Sequence, residues 1–146
     1  MKLKLPLIAA FVAITSLTAC GGGETTPSVP VFSPATLVKT DISIGTGAEA
    51  IAPKTVTVHY TGWLYTTATA DFKGTKFDSS AGGAPLTVKL GTNAVIPGFE
   101  TGIIGMKVGG KRTVLIPAAQ GYGSAGRNPI PPNSGLVFDI ELVSAI

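Results

Sequence analysis

Four stretches of this chain alternate apolar and polar residues with a period of two, and only one short stretch has the spacing of a helix. TVTVHY at residues 55–60 puts Val56, Val58 and Tyr60 on one side of an extended backbone and His59 on the other, polar side. Leu86 to Leu90 and Arg112 to Ile116 repeat the pattern. Leu136 to Val143 turns Leu136, Phe138, Ile140 and Leu142 to a single face. A sheet with one apolar face must bury it, and the cover available is PGFETGIIGM. There Pro97 suits a helix start, Phe99 and Ile103 stand four apart on one side, and Gly105 suits the stop. Strands in series around a lone helix predict an α+β fold, an antiparallel sheet with one short helix on its apolar face, and not an alternating βαβ order. No internal repeat is visible.

With 146 residues, 45% hydrophobic and 13% charged, the chain has material for one domain with a real core. Its first twenty residues set Lys2 and Lys4 before an apolar run from Leu5 to Leu17, the layout of an export signal and too short for a comfortable membrane span. Leu17-Thr18-Ala19-Cys20 resembles the lipobox of bacterial lipoproteins, which predicts a signal peptide over 1–19 and a lipid on Cys20. Residues 20–35, containing GGGETTPSVPVFSP, read as a flexible linker, and 36–146 as the folded domain. Cys20 is the lone cysteine, so no internal disulfide is expected even in an oxidising compartment. The expected address is the cell envelope, with the chain lipid-anchored. Gly21 is not the aspartate that favours inner-membrane retention in enteric bacteria, so the outer membrane, facing the periplasm, is favoured. Loss of Lys2 and Lys4 with the signal leaves nine Lys and Arg against eight Asp and Glu, a balance that gives nucleic acid no electrostatic footprint.

Two glycine motifs invite phosphate chemistry, and the residues after each rule it out. GYGSAG at 121–126 matches G-x-G-x-x-G, but a dinucleotide turn must open a helix, and Pro129, Pro131 and Pro132 stand where that helix would run. Each interior proline costs a helix roughly 3 kcal/mol. GMKVGGK at 105–111 matches G-x-x-x-x-G-K, but Arg112 replaces the Ser or Thr that binds magnesium, and a strand comes next. His59, the sole histidine, lacks a nucleophile elbow such as G-x-S-x-G, and reads as a solvated strand residue. One histidine and scattered acids supply no metal-ligand cluster, so neither metal nor cofactor is expected. Tyr60, Phe77, Phe99, Tyr122 and Phe138, with Asp78 beside Phe77, read by spacing alone as core aromatics.

Their order says more. VHYTGWLY at 58–65, KFDSS at 76–80, VIPGFETGIIGMKVGGKR at 95–112, GYG at 121–123 and IPPNSGLVFDIEL at 130–142 resemble, in sequence, the FKBP-type peptidyl-prolyl cis-trans isomerases. The resemblance spans roughly 36–146 and implies a five-stranded antiparallel sheet wrapped around one short helix, with an apolar pocket between them. It implies a pocket formed by Tyr60, Phe77, Asp78, Val95, Ile96, Phe99, Tyr122, Ile130 and Phe138, and makes GYGSAG the start of a flap over it. The family commonly has Trp at the floor where this chain has Phe99, and an aromatic after the KFDSS turn where it has Leu86. Trp63 lies outside the floor, and TTATADFKG between Trp63 and Lys76 lengthens a loop, a cheap insertion.

The implied activity is prolyl isomerisation of proline-containing polypeptides, assisting the folding of exported proteins, with macrolides as possible inhibitors. Such a reaction needs no nucleophile, base, metal or cofactor: rotation must break amide resonance against about 18–20 kcal/mol, and an apolar pocket disfavours the more polar planar form. The resemblance gives Tyr60, Phe77, Phe99 and Phe138 the proline ring. It gives the Ile96 N–H and the Tyr122 O–H a substrate carbonyl each, and has Asp78 orient Tyr60 or face the twisting carbonyl. Asp78 also suits capping of the backbone before Ser79 and Ser80. A non-catalytic module of the same fold, holding unfolded chains or one partner at the membrane, is the alternative.

Overall fold

The computed structural model describes residues 30–146. The expected signal peptide, Cys20 and the linker up to residue 29 lie outside the described residues. Within them run β1 (Val38–Ser43), β2 (Thr55–Tyr65), β3 (Lys73–Ser79), β4 (Leu86–Lys89), α1 (Pro97–Ile103), β5 (Lys111–Ile116), a 3-10 turn at Ala118–Gln120, and β6 (Leu136–Ala145). Every pairing is antiparallel. The order is β1-β5-β6-β2-β3, with β4 also on β2. The expected five-stranded sheet is thus present as five positions, the last shared by two strands: β4 pairs with Thr55 to Val58 and β3 with Thr61 to Tyr65.

The four alternating stretches become β2, β4, β5 and β6, and their apolar sides meet. Val56, Val58, Val114, Ile116, Leu136 and Leu142 have no exposed surface. Each such side chain contributes roughly 1.5–3 kcal/mol relative to exposure. The helix lies on this face with Phe99 and Ile103 buried. Its close approach depends on two glycines that face β5. A methyl group at Gly102 would sit 2.8 Å from Val114 Cγ2, and one at Gly98 would overlap Ile116 Cγ2.

The end of α1 is held by Arg112, which is buried on β5. Its Nη1 donates to the carbonyls of Gly102 (2.9 Å) and Ile104 (3.1 Å), and its Nε donates to Asp41 Oδ1 at 2.6 Å on β1. Helix ends leave carbonyls without intrahelical donors, and a guanidinium can serve several at once. Its hydrogen bond is the main reason that Asp41 is held below its ordinary value of 3.8. Gly105 comes just after with φ 91°, the left-handed stop anticipated for it.

Three local expectations change. KFDSS, read as a turn, belongs mostly to β3, where Phe77 faces the core side and Asp78 pairs with Gly62 of β2. His59 is half-buried, its Nδ1 3.1 Å from Ser80 Oγ, and so is not simply solvated. The last part of the expected linker touches the domain: the Phe32 carbonyl accepts from Gly135 N–H at 2.8 Å, and Ser33 Oγ accepts from Ala118 N–H at 2.9 Å. Trp63 lies off the cleft, under Lys73, whose Nζ is 4.6 Å from the ring centroid and 2.7 Å from Asp139.

Candidate active site

Four aromatic rings meet where β2, β3 and β6 pass over α1. Phe138 on β6 is the hub: its ring centroid is 5.0 Å from Phe99, 5.6 Å from Phe77 and 6.1 Å from Tyr60. The contacts with Phe77 and Phe99 are edge-on, as is that between Tyr60 and Phe99 at 5.6 Å. This arrangement sets positive ring edges against negative faces and holds the walls open instead of stacked flat. Gly62 makes room for it. Gly62 is an interior position of β2 on the same face as Val58 and Tyr60, and a methyl there would lie 2.7 Å from both Phe77 Cζ and Phe138 Cε1.

The rings border an open cleft of about 480 Å³, within the usual range for small-ligand sites. Of the nine residues expected around it, eight line it: Tyr60, Phe77, Asp78, Val95, Ile96, Phe99, Tyr122 and Phe138. Ile130 does not; it is 5% exposed and packs in the core. An isoleucine in a turn held against the sheet gains more by full burial than at a half-open rim. Leu86, at the position where the family has an aromatic, lines the cleft, together with Ala94 and Arg127, which no sequence motif singles out.

Polar groups are few and placed. Tyr60 O–H donates to Asp78 Oδ2 at 2.7 Å, while Asp78 Oδ1 accepts from the Ser79 N–H at 2.8 Å. Orienting Tyr60 and capping the local backbone are therefore both done by one carboxylate, one oxygen each. Burial, then the hydrogen bond to Asp78, pushes the Tyr60 phenol up to about 12, so it keeps its proton across the physiological range. The Ile96 carbonyl is used by the N–H groups of Phe99 and Glu100, whereas no acceptor among the described residues takes the Ile96 N–H. Tyr122 accepts a long hydrogen bond from Arg127 Nη1 at 3.3 Å, leaving its own hydrogen to donate.

GYGSAG leads away from the 3-10 turn into this rim and not into a helix. Gly126 has φ 67°, and a methyl on it would be 2.7 Å from the Ile130 carbonyl and 2.8 Å from Pro132 N. Its glycine thus serves a tight turn against the proline segment.

An antiparallel sheet closed over one short helix, with an aromatic cleft between them, is the class of fold and site that the sequence resemblance implies. The chain belongs to the FKBP-type peptidyl-prolyl cis-trans isomerase family, whose pattern it matches over residues 47–143. It is 47% identical over 109 residues to the FK506-binding protein of Neisseria meningitidis serogroup A, covering 73% of this chain and 94% of that one. It is 42% identical over 99 residues to FK506-binding protein 1B of Neurospora crassa, covering 67% and 88%. Among solved structures, AtFKBP13 superposes with TM-score 0.65 at 37% identity, over 78% of this chain and 96% of that one. FkpA from Escherichia coli does so with TM-score 0.64 at 39% identity, over 79% of this chain and 51% of its own. The protein is a peptidyl-prolyl cis-trans isomerase of this family, with an α+β fold of the same kind.

Proposed function

We propose that this isomerase acts on exported polypeptides at the cell envelope, held there by a lipid on Cys20, and that Tyr60, Asp78 and Tyr122 with the aromatic walls carry its catalysis. The observation that bears most weight is the Tyr60–Asp78 hydrogen bond, which fixes a neutral phenol at the edge of an aromatic-walled cleft. A proline ring fits against Phe99 with Phe77 and Phe138 at its sides. The preceding amide then leaves water for a surface of ring edges. Its planar form, with charge spread onto the carbonyl oxygen, loses more by that transfer than the twisted form does. The Ile96 N–H and the Tyr122 O–H hold flanking carbonyls, so that one side of the bond is gripped while the other turns. No proton is transferred, and with Tyr60 protonated up to about 12 the rate should be flat between roughly pH 6 and 8.

Asp78→Ala frees the Tyr60 hydroxyl, and Tyr122→Phe removes one donor. Each should lower kcat/KM on a short proline peptide by about ten-fold, the worth of one to two net hydrogen bonds. Melting curves should show both variants folded. Wild-type rates no faster than buffer, from folded protein, would move the reading to a binding module of the same fold.

The anchor is tested separately. Leu17-Thr18-Ala19-Cys20 predicts that the wild-type protein takes up acyl label and partitions with membranes, and that Cys20→Ala abolishes the label. Equal labelling of both proteins would remove the lipid, and with it the main support for an envelope address. Macrolides of the FK506 type, the ligands for which the relatives are named, are the natural competitors to assay at the same cleft.

A further inference from the structure

Asp78 and Arg127 are the two charged side chains that line the cleft, and they differ in one respect. Both oxygens of Asp78 are in use, one by Tyr60 and one by Ser79. Arg127 has no carboxylate within ion-pair distance among the described residues. Its guanidinium carbon lies 5.6 Å from the Tyr122 ring centroid and its Nη1 meets the Tyr122 oxygen at 3.3 Å, so ring and hydroxyl together hold the group at the rim. The backbone under it is pinned as well. Arg127 N–H donates to the Ile130 carbonyl at 2.9 Å, and Gly126 N–H to the Tyr122 carbonyl at 3.1 Å, so Tyr122 and Arg127 open two adjoining turns. A guanidinium offers five N–H donors in a planar fork suited to a carboxylate. One of them is spent on Tyr122.

We infer that Arg127 is a specificity-determining residue, which makes this isomerase favour prolines flanked by an aspartate or glutamate. The inference rests on the cleft being the site of prolyl isomerisation. A peptide whose proline ring lies against Phe99, with a carbonyl on Tyr122, carries its neighbouring side chain past the cation stacked on Tyr122. An acidic side chain there gains a partner, because Tyr122 uses one guanidinium N–H and leaves the rest of the fork to face it. A basic one meets a like charge.

The test uses the full-length protein and two peptide series, one varying the residue before proline and one the residue after it, each with Glu, Gln or Lys. In at least one series, kcat/KM for Glu should exceed that for Gln by about 3- to 5-fold at low salt, with Lys below both, the size expected of a partly exposed ion pair. Salt of about 0.5 M should reduce the preference, since exposed pairs are screened. The Glu-to-Gln ratio within each variant cancels any general change at Tyr122. That ratio should fall to about 1 in Arg127→Gln, invert in Arg127→Glu, and survive in Arg127→Lys. A ratio near 1 for the wild type in both series overturns the inference, as does one unchanged in Arg127→Gln. If Arg127→Lys behaves as Arg127→Gln does, the guanidinium only orients Tyr122 and the charge reading fails. Should the wild type turn over none of the peptides, the isomerase site is misplaced. The same ratio, read as peptide affinity by NMR titration, would then still decide the role of Arg127.

Discussion

Arg112→Ala should destabilise the protein by about 3 kcal/mol, a large fraction of the stability of a domain this size. The side chain is 9% exposed, and three of its hydrogen bonds go with it: two to carbonyls at the end of α1 and one to Asp41. Removing one member of a buried pair commonly costs about 3–5 kcal/mol because the other is stranded. Asp41, at 43% exposure, can rehydrate, so the lower end applies and the loss falls mostly on the helix carbonyls. Asp41→Ala should therefore cost clearly less, about 1 kcal/mol, since Arg112 keeps its two carbonyls. Urea unfolding of both single variants and the double variant measures this. Equal losses for the two single variants would mean that the ion pair, and not the helix end, is what Arg112 holds. The pH dependence has a definite sign. Asp41 has a folded value below 3.8, so its contribution is present above that value and is lost as pH falls through the lower, folded one. In Arg112→Ala this acid-side loss should shrink.

That residue also marks how far the sequence could be read. As a departure from a phosphate-loop pattern, Arg112 excluded a function; its three partners lie on other elements, 71 residues away in the case of Asp41. Alternation found β2, β4, β5 and β6, where one face is buried and the period is therefore written in side chains. It missed β1, whose six residues are all exposed, because an edge strand with neither face covered needs no apolar period. It missed β3 for a related reason: Phe77 is the single large apolar residue there, and a glycine interrupts the run. The helix was legible from Pro97, Phe99 and Ile103, and its length held within a residue. In the cleft, eight of the nine residues that the resemblance implies line the wall, while Ile130 is buried. The flap that carries it is a proline-rich turn whose side-chain directions are set by tertiary contact, which is also why no sequence pattern marks Arg127.

Gly62→Ala should lower kcat/KM by about 30-fold while leaving the fold intact. Val56, Val58 and Tyr60 predict a side chain at the next inward position of β2, and the strand instead has a glycine. The rings of Phe77 and Phe138 fill the space, at 90° and 5.6 Å, with atoms 2.7 Å from where a methyl would be. Phe138 cannot retreat freely, because it is also edge-on to Phe99 at 5.0 Å and 5% exposed. Phe77 is half-buried and borders the cleft, so the easier movement carries it into the space that a proline ring needs. Overpacking of this kind costs roughly 1–3 kcal/mol. If about 2 kcal/mol of it falls on bound substrate, the rate constant drops by the stated 30-fold. The loss should appear mainly as weaker binding of substrate and of any macrolide competitor, because the walls are displaced while the Tyr60–Asp78 bond, set by the backbone of β2 and β3, is kept. Steady-state kinetics together with a melting curve separate the outcomes. A variant with wild-type kcat/KM would show that Phe77 and Phe138 do not wall the proline site, whereas a variant that loses several kcal/mol of stability would show that the strain cannot be relieved into the cleft at all.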